Sequence, residues 1–153
     1  MKPPSCSKNR YMRFAFNSAR TQLSALALAR VDAAYAEALL GAGALADAEA
    51  LIAKSRGKLA EARDRYPWDY AWALVRSARI AMARGDTAAA IAYSREAFKF
   101  AQPRCQDGSP VVLAAMDEYG TALAKNGRPK KRTRFSRRLW RFAVLSTRPA
   151  RPL

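Results

Sequence analysis

The chain has 153 residues and a net charge of +16, with half its residues apolar, two cysteines and no histidine. That length suits one domain with a real core, and no apolar run approaches the roughly 20 residues of a membrane span. Without histidine, the usual catalytic triads, most transition-metal sites and the commonest general base are excluded.

The charge is unevenly placed. Residues 1–31 carry six Lys or Arg and no acid, residues 32–127 hold all 12 acids against 12 basic residues, and residues 128–153 carry ten basic residues and no acid. A neutral body with two cationic ends is a different object from a uniformly basic surface. The chain therefore divides into a basic lead-in (1–19), a helical repeat domain (20–127) and a basic helix and tail (128–153).

In the lead-in, FAFNSARTQLSALALA is interrupted by Asn17, Arg20, Thr21 and Gln22, which makes a poor secretory segment. Its basic, acid-free composition fits a transit peptide or a cationic helix, and we read it as the helix. Apolar spacings of three and four then predict helices at about 20–41, 45–65, 68–84, 87–102, 109–125 and 131–145. Pro67 opens the third, and Pro103, Gly108 and Pro110 bracket the break before the fifth. Strand signals are absent. Alanine dominates the first 125 residues, as closely packed helices require.

An internal period organises these helices. Gly43, Gly85 and Gly127 lie 42 residues apart, and each is preceded seven residues earlier by a small residue: Ala36, Ala78, Gly120. Five residues after the first two glycines stand Ala48 and Ala90, followed by Leu51 and Tyr93, with Phe135 in the third copy. Each glycine falls where a helix must stop and turn. The expected fold is all-α, with antiparallel helix pairs stacked as a short solenoid of about two and a half to three units.

The pattern resembles tetratricopeptide repeats, in particular the 42-residue kind found in kinesin light chains and bacterial regulators. GDTAAAIAYSREAFKF (85–100) matches the turn and second helix, with Gly85, Ala90 and Ala97 at the small positions. The resemblance implies a binding scaffold for a peptide or protein segment, lined by the first helix of each pair. By register it places Glu37, Leu40, Trp72, Val75, Arg79, Met82, Asp117, Thr121 and Ala124 on that groove. Trp72 and Arg79 are the strongest candidates, since such side chains dominate interface energetics. Trp72 packing on Trp68 is the competing reading. The Lys and Asn with which some relatives clamp a terminal carboxylate are missing, because Val75 and Arg79 stand there.

Catalysis has little to stand on. Cys6 and Cys105 have no imidazole to activate them, and without CxxC or a disulfide framework they are expected to be free thiols in a reducing compartment, the cytoplasm. GAGALA (41–46) fits GxGxxA literally but follows a helix-like run rather than a strand. Asp47 and Glu49, Glu61 and Asp64, and Asp117 and Glu118 read as exposed helix faces, with Glu61 spaced to meet Arg65. No metal or cofactor is expected.

The last segment, GRPKKRTRFSRRLWRF (127–142), departs from the repeat. Arg132 falls in the slot that Ala48 and Ala90 fill, where a buried, unpaired guanidinium costs several kcal/mol. At about 100° per residue Arg134, Arg137, Arg138 and Arg141 share one face, opposite Phe135, Leu139, Trp140, Ala143 and Val144. The segment reads as a cap over the array, as an unselected extension, or as a binding element for nucleic acid or an anionic membrane through these arginines with Lys130, Lys131 and Arg132. An array this short leaves an open apolar end, so self-association, or docking of 11–30 or 135–145 over it, is also expected.

Overall fold

The computed structural model describes residues 6–105 and 108–127, with most side chains of the first helix described from Ala25 onward. Five helices follow one another: α1 (Cys6–Gly41), α2 (Leu45–Glu61), α3 (Pro67–Arg84), α4 (Thr87–Ala101) and α5 (Pro110–Lys125). No strand occurs among the described residues, so the all-α expectation holds. Consecutive helices pack on each other, and α3 also packs on both α1 and α5.

Two helix boundaries differ from expectation. α1 begins at Cys6 rather than near residue 20, which makes it 36 residues long. The polar residues at 17 and 20–22 lower its apolarity but contain no helix breaker, and the nearest prolines are Pro3 and Pro4. α2 ends at Glu61, four residues early, because Pro67 holds Tyr66 out of the helical region (φ −128°, ψ 63°) and the approach is spent on turns. Pro67 opens α3 as the sequence suggests, and Pro110 opens α5 in the same way.

The 42-residue period is real in the backbone. Gly43 and Gly85 both take positive φ, 81° and 87°. The N–H of Gly43 donates to the Leu40 carbonyl at 3.1 Å, and that of Ala44 to the Leu39 carbonyl at 2.9 Å. Forty-two residues on, Gly85 donates to Met82 at 3.1 Å and Asp86 to Ala81 at 2.9 Å. These are Schellman closures, in which two otherwise orphaned helix carbonyls are satisfied. Gly127 repeats the glycine's own bond, donating to the Ala124 carbonyl at 3.2 Å, with φ 69°. Asp86 adds a cap that Ala44 cannot, accepting from the Ala89 N–H at 2.9 Å.

A Cβ built on Gly85 would meet nothing within 4 Å, so substitution there is opposed by φ alone. Gly85→Ala is expected to cost about 1–2 kcal/mol in urea denaturation, the penalty of left-handed backbone for a residue with a Cβ. A loss below about 0.5 kcal/mol would mean that the turn has another accessible conformation.

Packing repeats with the same period. Ala36, Ala78 and Gly120 are buried, as are Ala48 and Ala90. α3 is the central element: Tyr70, Ala71, Ala73, Leu74, Val75, Ser77, Ala78, Ile80 and Ala81 are all buried, leaving it one narrow outward strip. Among the buried hydroxyls, Ser55 donates to the Ala29 carbonyl on α1, Ser77 to the Ala73 carbonyl and Ser94 to the Ala90 carbonyl.

Candidate functional site

The outward strip of α3 runs Trp68, Trp72, Arg76, Arg79 and Ala83, none of which is buried. In the 42-residue register the same strip on α1 carries Leu26, Arg30, Ala34 and Glu37, and on α5 Pro110, Ala114, Glu118 and Thr121. Helix-to-helix ion pairs hold the three strips together. Arg30 on α1 meets Asp69 on α3, and the Arg76 Nε donates to Glu37 Oε2 at 2.9 Å. The Arg79 Nε donates to Glu118 Oε1 on α5 at 2.6 Å, and its Nη1 donates to Glu37.

Three of these pairs have one separation, 39 residues: 30 with 69, 37 with 76, and 79 with 118. Glu37–Arg76 and Arg79–Glu118 occupy equivalent positions with the charges exchanged. The geometry of one contact is therefore kept while its polarity inverts, and Arg79 gains a carboxylate from each side.

The electrostatics follow from that arrangement. Burial pushes the Glu37 carboxyl up, but hydrogen bonds and positive charge from Arg76 and Arg79 outweigh it and hold its pKa below the usual value. Burial opposes the charge on Arg79, yet Glu118 and Glu37 more than compensate and raise its pKa further. Arg76 also lies over the Trp72 ring at 5.7 Å, and Arg30 over Tyr66 at 4.9 Å.

Against the expected groove, the structure brings Glu37, Trp72, Arg79 and Thr121 onto or beside one face. Asp117 is exposed on α5. Val75 is not on the face: it is fully buried, so it belongs to the core of α3 and the residue beside it, Arg76, takes the outward position. Leu40 and Met82 are half-buried and pack against core residues, and Ala124 is also half-buried. Trp68, Arg76 and Glu118 belong to the face and are missing from the expected set. Trp68 is 42% exposed, so it is not consumed by packing against Trp72.

Other expectations resolve simply. Glu61 accepts from Lys58 at 3.3 Å, not from Arg65, because α2 stops before Arg65, which instead lies over the Tyr66 ring. GAGALA forms the α1–α2 turn, with helix rather than strand before it. Cys105 is a free, buried thiol whose pKa burial pushes up, the opposite of activation. No group of three or more metal-ligating side chains occurs among the described residues, and no described helix is long and apolar enough to cross a membrane. Lys130, Lys131, Arg132, Arg134, Arg137, Arg138 and Arg141 lie outside the described residues, as do the expected helix at 131–145 and its apolar arc.

Comparison of the chain with protein-family models, with curated proteins and with solved structures finds no match.

Proposed function

We propose that the chain is a non-catalytic helical-repeat adaptor of the tetratricopeptide kind, which holds a peptide or protein segment along the face shared by α1, α3 and α5. The observation that carries this reading is the outward strip of α3. There Trp68 and Trp72 stand unburied beside Arg76, on a helix braced from both sides by ion pairs. Trp and Arg are the side chains that most often supply the large terms of a protein interface. Arg79 is committed to two carboxylates and serves as a brace rather than a ligand contact. The ligand then meets indole surface, the Arg76 guanidinium and the alkyl edges of Leu26 and Ala114. A second reading rests on the ten basic residues without an acid at 128–153, which suit nucleic acid or an anionic membrane.

One experiment separates them. Peptides selected from a random displayed library on the intact chain would be titrated against the chain, Trp68→Ala, Trp72→Ala and a truncation ending at Gly127. The adaptor reading expects Trp72→Ala to weaken binding about 30-fold, the effect of a hot-spot truncation of about 2 kcal/mol, and the truncation to matter little. Peptides that bind both tryptophan variants undiminished would refute it. Selection of acidic peptides that need residues 128–153 and release steeply with salt would favour the second reading.

A further inference from the structure

Between α2 and α4, over the side of α3 turned away from its outward strip, lies a cavity of about 150 Å³. Ile52 and Ala53 of α2, Ile80 of α3 and Ala89 of α4 give it apolar walls. Arg56, Ser77 and Tyr93 also line it and stand together. The Arg56 guanidinium lies over the Tyr93 ring at 4.4 Å, and its Nη1 donates to Ser77 Oγ at 3.2 Å. Ser77 in turn donates to the Ala73 carbonyl at 2.8 Å, so its hydroxyl is fixed as an acceptor for Arg56.

Arg56 differs from its counterparts in lacking a carboxylate. Three cations are half-buried among the described residues: Arg56, Arg76 and Arg79. Arg76 and Arg79 meet Glu37 and Glu118, whereas the ion pairs among the described residues all leave Arg56 out. The two acids that line the cavity are committed elsewhere. Glu49 accepts from Arg84 through both carboxylate oxygens, and Asp86 caps α4 by accepting from the Ala89 N–H. Both acids are exposed, so Arg56 is the one half-buried charge of the lining. A guanidinium held only by a hydroxyl and a ring keeps a desolvation cost that an anion would relieve. Stacking occupies the face of the guanidinium and leaves its in-plane donors, of which Ser77 takes one.

We propose that this cavity binds a short-chain monocarboxylic acid, its carboxylate on Arg56 and its hydrocarbon end against Ile52 and Ile80. Each part of the ligand follows from a part of the site. The unpaired, stacked guanidinium selects an anion that accepts two in-plane hydrogen bonds, which is the geometry of a carboxylate. The isoleucine and alanine walls offer an inorganic oxyanion few further partners and favour a carbon chain. At a water's share of about 30 Å³, the volume accommodates on the order of five to seven non-hydrogen atoms, or a chain of about three to five carbons. So small a ligand binds weakly, with a Kd of about 1 mM. The site is separate from the face proposed for peptides, because Trp68, Trp72 and Arg76 lie on the other side of α3 and none of them lines the cavity.

The chain has three isoleucines, Ile52, Ile80 and Ile91, and the first two line the cavity while the third does not. Methyl NMR of the full chain labelled at isoleucine therefore carries its own control. Titration with sodium butanoate is expected to shift the Ile52 and Ile80 signals with a Kd of about 1 mM and to leave Ile91 in place. Butanamide, of the same shape without the charge, is expected to bind at least tenfold more weakly to the wild-type chain. Arg56→Met is expected to lose butanoate by at least the same factor, with the Ile91 signal and the helicity by circular dichroism unchanged. Acetylvaline, which sets a peptide bond beside the carboxylate, is expected to bind at least fivefold more weakly than butanoate. No shift at about 20 mM butanoate overturns the proposal, as does equal binding of butanamide or an Ile91 shift as large as the other two. Tighter binding of acetylvaline overturns it in favour of a peptide terminus.

Discussion

Ala90→Arg is expected to lose at least about 4 kcal/mol of folding free energy, enough to unfold much of the population of a domain whose total stability is about 5–15 kcal/mol. Ala90 is fully buried and clusters with Ala81 of α3 and Ala122 of α5. The site therefore has room for a methyl group and little more. A guanidinium there either desolvates without a partner or pushes α4 off both neighbours, and overpacking alone costs about 1–3 kcal/mol. Ala92→Arg, two residues away on the exposed side of the same helix, is expected to stay within about 0.5 kcal/mol of wild type. Urea midpoints followed by circular dichroism compare the two. Equal midpoints would show that the small slot can open, and would also remove the reason for reading Arg132, in the equivalent position of the third unit, as a bar to close packing there.

That slot illustrates what was legible in the sequence. The positions that recur with the glycines are set by sterics: Ala36, Ala48, Ala78, Ala90 and Gly120 are small because helices approach closely there, and each is buried. Steric necessity leaves a mark on residue type, so it can be read from one chain. The outward face leaves a weaker mark, because exposed positions tolerate many residues. Reading it from the family resemblance took Val75 in place of Arg76, an error of one residue that rotates a side chain by about 100°. A signal was available in the opposite charges recurring at a separation of 39: Arg30 with Asp69, Glu37 with Arg76, Arg79 with Glu118. It requires looking for pairs between equivalent helices rather than within one. The start of α1 was misjudged for another reason. Polar residues weaken a membrane or secretory segment without ending a helix, and only a breaker or a cap ends one.

Arg79 shows why the face must be separated from its braces. Arg79→Ala is expected to cost about 2 kcal/mol, between the 0–1 kcal/mol of an exposed pair and the 3–5 kcal/mol of breaking a buried one. Its side chain is 33% exposed and that of Glu118 only 16%, so removing the guanidinium strips a largely enclosed carboxylate of its ion pair. Glu37 loses less, since Arg76 still serves it. Arg79→Lys is expected to recover less than half of the loss, because one ammonium cannot present the guanidinium's divergent donors to carboxylates on two different helices. A double-mutant cycle with Glu118→Gln is expected to give a coupling of about 1 kcal/mol, and the same cycle with the exposed Thr121→Ala about zero. An Arg79→Ala chain as stable as wild type would end the role of Arg79 as a brace. If such a chain also lost peptide binding, Arg79 would move to the ligand side of the face. If instead stability falls while peptides selected on the wild type still bind the folded fraction, the ion pairs hold α1, α3 and α5 in place, and Trp68, Trp72 and Arg76 remain to make the contact.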